Sequence, residues 1–282
     1  MGTQEVIASW NELVSFLQTL PPVDMACRGE DKTHADMTPK LDRCLDLPDL
    51  DSRLRVERAL CQRFSEHAPI YLSPVEARYL KSRWLELVVM QHYGAPTRLL
   101  DWTKSPWVAV FFAVSAGWES DGRVYGFRRD SLERLIIPTV RDELPGLVCG
   151  PHRSDLEFSD EEWDLAEANS KLFDPSMVST LSEWVVTYYC RAGHFPRLVA
   201  QQGLFTFASK PRIDHWKYVS GRLSLADCFE LTIKHAAKPE ILRRLNAVGI
   251  NAATLFPGME GIGRSMEGFA RAWHLSPRPS QF

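Results

Sequence analysis

The chain has 282 residues, of which 45% are hydrophobic and 24% charged, and its formal net charge is -3. A chain of that length and composition buries a sizeable core without metal or disulfide staples, and it carries no overall basic field that would draw nucleic acid or an anionic membrane surface. The six cysteines, Cys27, Cys44, Cys61, Cys149, Cys190 and Cys228, form neither a CxxC pair nor a Cys/His metal spacing. Reduced, mostly buried thiols and no metal are therefore expected. MGTQEVIASWNELVSFL lacks a basic n-region and a small-residue cleavage site, and Val6 stands where a myristoylation signal needs Ser or Thr. No apolar run reaches the roughly 18 residues that a membrane span needs. The expectation is a cytoplasmic protein with no membrane partner.

In chain order, SWNELVSFLQTL reads as an amphipathic helix that stops at Pro21 and Pro22. VDMACRG is a short buried strand, residues 30–51 a loop, and RLRVERALCQRFSEH a second helix. Ser73-Pro74-Val75-Glu76 is a capping box with proline at the first helical position, opening a helix that runs to Gly94, a left-handed cap. Ala95 precedes Pro96 and is pushed towards extended backbone, which makes TRLLDWT a strand. Ser105-Pro106 then opens WVAVFFAVSA, a helix apolar on every side and so expected at the centre of the core.

RVYGFRR alternates as a strand does. Residues 130–178 are long and partly acidic, and read as an insertion or lid with a solvated charged face. STLSEWVVTYYC reads as helical, GLFTFAS and FELTIKH as strands, KPEILRRLNAVG as a helix closed by Gly249, and GIGRSMEGFARAWH as a last amphipathic helix. Strict strand-helix alternation is lacking, so the expected fold is α+β: a single domain with a split, mainly antiparallel sheet flanked by helices.

The sequence holds no GxSxG elbow, no phosphate-binding GxxxxGK[ST], no GxGxxG after a strand and no HExxH. It offers instead polar side chains at the ends of buried strands. Arg28 needs an anion, either an internal carboxylate or a phosphate-bearing ligand. Asp101 and Arg98 sit near a helix N-terminus that attracts anions, and Asp101 either pairs with Arg98 or Arg28 or faces a ligand. His92 ends a helix, where capping or ligand contact are both open. Gln201 and Gln202 precede a strand, and Glu260 lies in the turn TLFPGMEG, where a helix-terminal role competes with a functional one.

CRGE at 27–30, QHYGAPTRLLDWTKSPWVAVFFA at 91–113, VAQQGLFTFAS at 199–209 and GINAATLFPGMEG at 249–261 together resemble the FRG domain family, with Cys27 in place of the phenylalanine of its Phe-Arg-Gly signature. The resemblance covers residues 8–262, with a variable insertion at about 130–198, and leaves 263–282 as a C-terminal helix and tail. A weaker similarity links the same segments to ADP-ribosyltransferases of the Arg-Ser-Glu type. Arg28-Gly29 falls on their first-strand arginine, Asp101-Trp102-Thr103 on the Ser-Thr-Ser segment, and Gln201-Gln202 on the glutamate turn.

These similarities imply an ADP-ribosyltransferase-like fold and NAD as substrate, with transferase or glycohydrolase chemistry and a toxin-like role in stress or phage defence. Arg28, Thr103, Gln202 and Glu260 are the catalytic candidates. Arg28, Gly29, His92, Tyr93, Arg98, Asp101, Trp102 and Gln201 are the candidates for holding the ligand. The acceptor would be a protein or a nucleic acid. Gln202 cannot supply a glutamate's charge, so Asp101, Glu30 or Glu260 must serve, or the same fold is a non-catalytic nucleotide- or protein-binding module.

Overall fold

The structure, a computed structural model, describes residues 3–144, 172, 174–188 and 195–272. Seven strands lie in one open sheet: β1 Thr3–Ile7, β2 Met25–Glu30, β3 Leu99–Thr103, β4 Gly122–Arg128, β5 Val185–Tyr188, β6 Gly203–Ala208 and β7 Cys228–Ile233. Their order is β1-β7-β4-β2-β3-β6-β5. β1 runs parallel to β7, and every other pairing is antiparallel. The helices are α1 Trp10–Thr19, α2 Lys40–Cys44, α3 Leu50–His67, α4 Pro74–Tyr79, α5 Arg83–His92, α6 Pro106–Val114 and α7 Arg129–Glu143. After these come α8 Pro175–Thr180, α9 Pro196–Ala200, α10 His215–Ser220, α11 Lys238–Ala247, α12 Ala252–Leu255 and α13 Met259–Ala272. The fold is α+β, as expected. No helix among the described residues is long and apolar enough to cross a membrane.

The period-2 alternation of β2 divides the core. Met25 and Cys27 join an apolar cluster with α6, α1 and α11, while Ala26 joins another with α5, Trp102, Phe127 and Phe207. Helix α6 is the central helix: Val108 to Phe111, Ala113 and Val114 are buried, and Trp107 and Phe112 partly so. Ser105 caps it by accepting from the Val108 N–H. Gly29 explains how closely α6 lies on β2, because a Cβ there would come within 1.8 Å of the Ala109 carbonyl oxygen. Gly94 and Gly249 both adopt positive φ, at 78° and 83°, in keeping with their reading as helix ends.

Several expected elements differ. The helix read from Pro74 to Gly94 breaks at Leu80 to Ser82, so that Tyr79 and Trp84 both reach the same core cluster. Of the described residues of STLSEWVVTYYC only Ser179 and Thr180 are helical, at the end of α8: Val185–Tyr188 forms the sheet edge β5, which suits its β-branched and aromatic residues. The start of the acidic region is α7, residues 145–171 and 173 of that region lie outside the described residues, and the chain before Glu260 includes the short helix α12. Strand β1 and helices α2 and α10 were not anticipated. Cys27, Cys61 and Cys228 are buried free thiols, Cys44 is an exposed one, and Cys149 and Cys190 are outside the described residues.

Candidate functional site

Strand β2 pairs with β4 from Met25–Arg128 to Glu30–Arg123, and β3 pairs with β6 from Leu99–Phe207 to Thr103–Gly203. The two strands meet each other at a single pair, Cys27 with Thr103. Beyond it they diverge, and backbone groups that a ladder would satisfy need other partners. Arg28 supplies one: its Nη1 donates to the Asp101 carbonyl at 2.7 Å, while its Nε donates to Glu30 Oε1 at 3.0 Å. Among the described residues its Nη2 has no partner, which with the second Nη1 hydrogen leaves three donors on a side chain that is 19% exposed.

A cleft of about 260 Å³ opens beside this divergence. Its polar lining includes Arg28, Gln91, His92, Asp101, Thr103, Arg197 and Gln201. The apolar side includes Phe112 of α6, Phe195 before α9 and Phe205 of β6. Gly29, Cys27 and Trp102 complete the strand wall. Burial pushes the Cys27 thiol up, so at neutral pH it is a protonated wall group and no nucleophile.

Asp101 is the exposed residue of an otherwise buried strand. The Thr97 hydroxyl donates to Gln91 Oε1 at 2.6 Å, which turns the Gln91 amide N–H2 towards Asp101, 2.7 Å from Oδ2. The carboxylate is thereby fixed in direction on a residue that lines the cleft. His92 ends α5 with its ring 4.9 Å from Tyr93 and 5.2 Å from Phe195. Burial first, and the Arg197 guanidinium second, lower its pKa below 6.5, although Glu76 and Glu260 pull it back. The imidazole is therefore neutral at pH 7 and presents a hydrogen-bonding edge without a charge.

Other expected residues lie elsewhere or are already engaged. Thr103 donates to the Gln201 carbonyl at 2.7 Å and accepts from the Ser105 N–H, tying β3 to the turn before β6 instead of orienting Arg28. Gln201 lines the cleft and donates to the Leu255 carbonyl. Gln202 does not line it: it occupies the left-handed region at φ 47°, and its carbonyl accepts from the Lys104 N–H. The Trp102 ring points into the core, 5.0 Å from Phe127, with Nε1 donating to Thr206. Tyr93 is exposed, bonds Glu76 and lines a separate apolar depression with Phe64 and Tyr71. Arg98 is sealed in the interior against Glu57, away from the cleft. Glu260 is half-exposed, 2.8 Å from Arg264 and 3.8 Å from Arg197, and reaches the site only through Arg197.

Gln91, Arg197, Phe112, Phe195 and Phe205 were not singled out from the sequence. Gln91 stands inside the QHYG block, so its place beside His92 was the available signal. Arg197 and Phe195 carry none, because α9 reaches the cleft only by tertiary packing.

The fold and cleft define an α+β domain whose central sheet opens, between two strands, onto a polar and aromatic cleft. Residues 24–122 match the model of the FRG domain family, a span running from just before β2 to the first residue of β4. The match includes Arg28-Gly29, the Gln91 to Asp101 relay and all of α6. No curated protein and no solved structure matches the chain.

Proposed function

We propose that the cleft binds a nucleotide of the NAD class and that Asp101 is the carboxylate that serves its cleavage. The observation carrying this reading is the divergence of β2 from β3, which sets the guanidiniums of Arg28 and Arg197, one oriented carboxylate and three phenylalanine rings on a single cleft. Fork-shaped cations suit a diphosphate, and aromatic rings suit a base or nicotinamide. Cleavage breaks the bond between ribose C1′ and the nicotinamide nitrogen, and the electron pair leaves with the ring. A water oxygen, or an acceptor group on a protein or nucleic acid, bonds to C1′, and its proton passes to Asp101 or solvent. Negative charge beside the developing oxocarbenium is the requirement Asp101 meets. Neither Gln202 nor Glu260 lines the cleft as a competing group.

Binding without cleavage is the second reading, favoured because Gln202, where a catalytic glutamate was sought, is not among the cleft's lining residues. Both are tested by following nicotinamide release and NAD-dependent thermal shift in the wild-type chain, Arg28→Ala and Asp101→Asn. Release that Asp101→Asn lowers 100-fold or more, with the shift retained, supports cleavage. A shift without release leaves the binding module, and no shift with no release ends both readings. A toxin-like role in stress or phage defence follows from the family resemblance and is tested by whether expression of the chain depletes cellular NAD.

A further inference from the structure

We infer that a second cavity, of about 250 Å³, is a nucleobase subsite, which makes the ligand of the whole site a dinucleotide; this rests on the nucleotide reading of the cleft. Phe112 of α6 lines both cavities, and its ring meets Phe256 edge to face at 6.0 Å. Phe256 in turn packs against two guanidiniums, Arg197 at 4.7 Å and Arg264 at 4.3 Å from its centroid. Arg197 lines the first cavity and Arg264 the second. Each cavity therefore contributes one cation to the same aromatic ring, with Glu260 linking the pair. A diphosphate lying across that ring meets both cations and displaces only the long 3.8 Å contact of Arg197 with Glu260.

Size supports the division. Each cavity is smaller than the roughly 300 Å³ at which ligand pockets for drug-sized molecules begin, so a dinucleotide needs both. The second cavity also has the chemistry of a base site. Trp118 and Phe256 give flat apolar surface, and Asn246 and Asn251 give polar edges. Asn251 spends Oδ1 on the Thr254 N–H at 3.1 Å, which leaves its amide N–H2 as a donor, and Asn246 offers a donor and an acceptor. Paired donor and acceptor groups of this kind are what read an adenine edge.

The test is calorimetric titration of the full chain with NAD and with nicotinamide mononucleotide, which fills the first cavity alone. Wild type is expected to bind NAD at least tenfold more tightly. Ser265→Trp, which fills the second cavity, is expected to remove that advantage while leaving mononucleotide affinity as it was. Asn246→Ala makes no steric demand and is expected to weaken NAD binding about fivefold, the value of one hydrogen bond, without touching the mononucleotide. Equal wild-type affinities for the two ligands, or NAD binding unmoved by both variants, overturns the subsite while the cleft reading stands. No binding of either ligand overturns the cleft reading and the subsite with it.

Discussion

Arg28 and Arg98 come from adjoining parts of the sheet and were both read as lining one pocket, yet the structure treats them oppositely. Arg98 is 1% exposed and fully engaged: Nε with Glu57 at 2.7 Å, Nη2 with the Leu172 carbonyl at 2.8 Å, and its plane over Phe207. Arg28 makes two bonds, keeps donors in hand and faces the cleft. Residue type is the same; saturation and burial differ. A buried guanidinium whose donors are spent on the protein holds the fold, and a half-used one at a strand divergence is available to a ligand.

The sharpest way to break that contrast is to remove Arg98. Arg98→Ala strands the Glu57 carboxylate in the interior, where burial already pushes its pKa up and only Arg98 draws it back strongly. The expected loss is about 3–5 kcal/mol, a large part of a typical domain's stability, read as a fall in the denaturant midpoint. The double variant Arg98→Met, Glu57→Leu should lose much less, because neither charge is then left alone. If the double variant is as unstable as the single, the pair is not what holds this region.

Gly29 comes next, since it sets the contact between α6 and the strand that carries Arg28. Gly29→Ala puts a methyl within 1.8 Å of the Ala109 carbonyl and 2.8 Å of the Ala113 nitrogen, so α6 must move. Overpacking of that kind costs about 3 kcal/mol. It should also weaken ligand binding, because Phe112 of the same helix lines the cleft. Thermal unfolding and NAD titration of one sample give both readings.

These two residues also show where the sequence was legible. The Arg-Gly pair and the block from Gln91 to Ala113 announce themselves because capping, proline and unbroken hydrophobicity are local signals. Arg98 could not be placed from sequence, since its partner Glu57 lies on α3 and only folding brings them together. Strand β1 was missed for a related reason: Glu5 and Val6 are exposed, so TQEVI shows no buried alternation, and its place depends on parallel pairing with the distant β7. Strand β5 was read as a helix because its apolar residues also fit helical spacing, and only its pairing with β6 decides. The cleft was legible along one wall; the wall from α9 was not.

His215 sharpens the comparison from beneath the divergence. Trp102 Nε1 donates to Thr206 Oγ1 at 2.7 Å, and the Thr206 hydroxyl is hydrogen-bonded to His215 Nδ1 at 2.7 Å. The ring is fully buried and neutral, and burial, with Arg28 second, pushes its pKa down to about 3. The unfolded chain takes up a proton near pH 6.5 that the folded one refuses. Stability is therefore present above pH 6.5, falls as pH drops, and stops falling through this group near pH 3. Between pH 6.5 and 5 the loss is about 2 kcal/mol, at about 1.4 kcal/mol per pH unit. His215→Gln should flatten that part of the curve in denaturant titrations at successive pH values. An unchanged slope means another group carries it.

Arg28→Ala should have the smallest effect on stability and the most specific one on binding. Its ion pair with Glu30 is partly exposed, and such pairs contribute about 0–1 kcal/mol. Its bond to the Asp101 carbonyl adds about 1 kcal/mol, part of which water can restore because the cleft is open. The denaturant midpoint should thus move far less than in Arg98→Ala, while nucleotide affinity falls at least tenfold. Arg28→Lys separates charge from geometry: it restores a cation but not the fork that reaches Glu30, Asp101 and a phosphate together. Partial recovery of binding in Arg28→Lys, with stability like wild type, fits a ligand-facing arginine. A stability loss in Arg28→Ala as large as that of Arg98→Ala would make both arginines struts of the fold, and the divergence of β2 from β3 would then be a seam bridged by Arg28 rather than the mouth of a site.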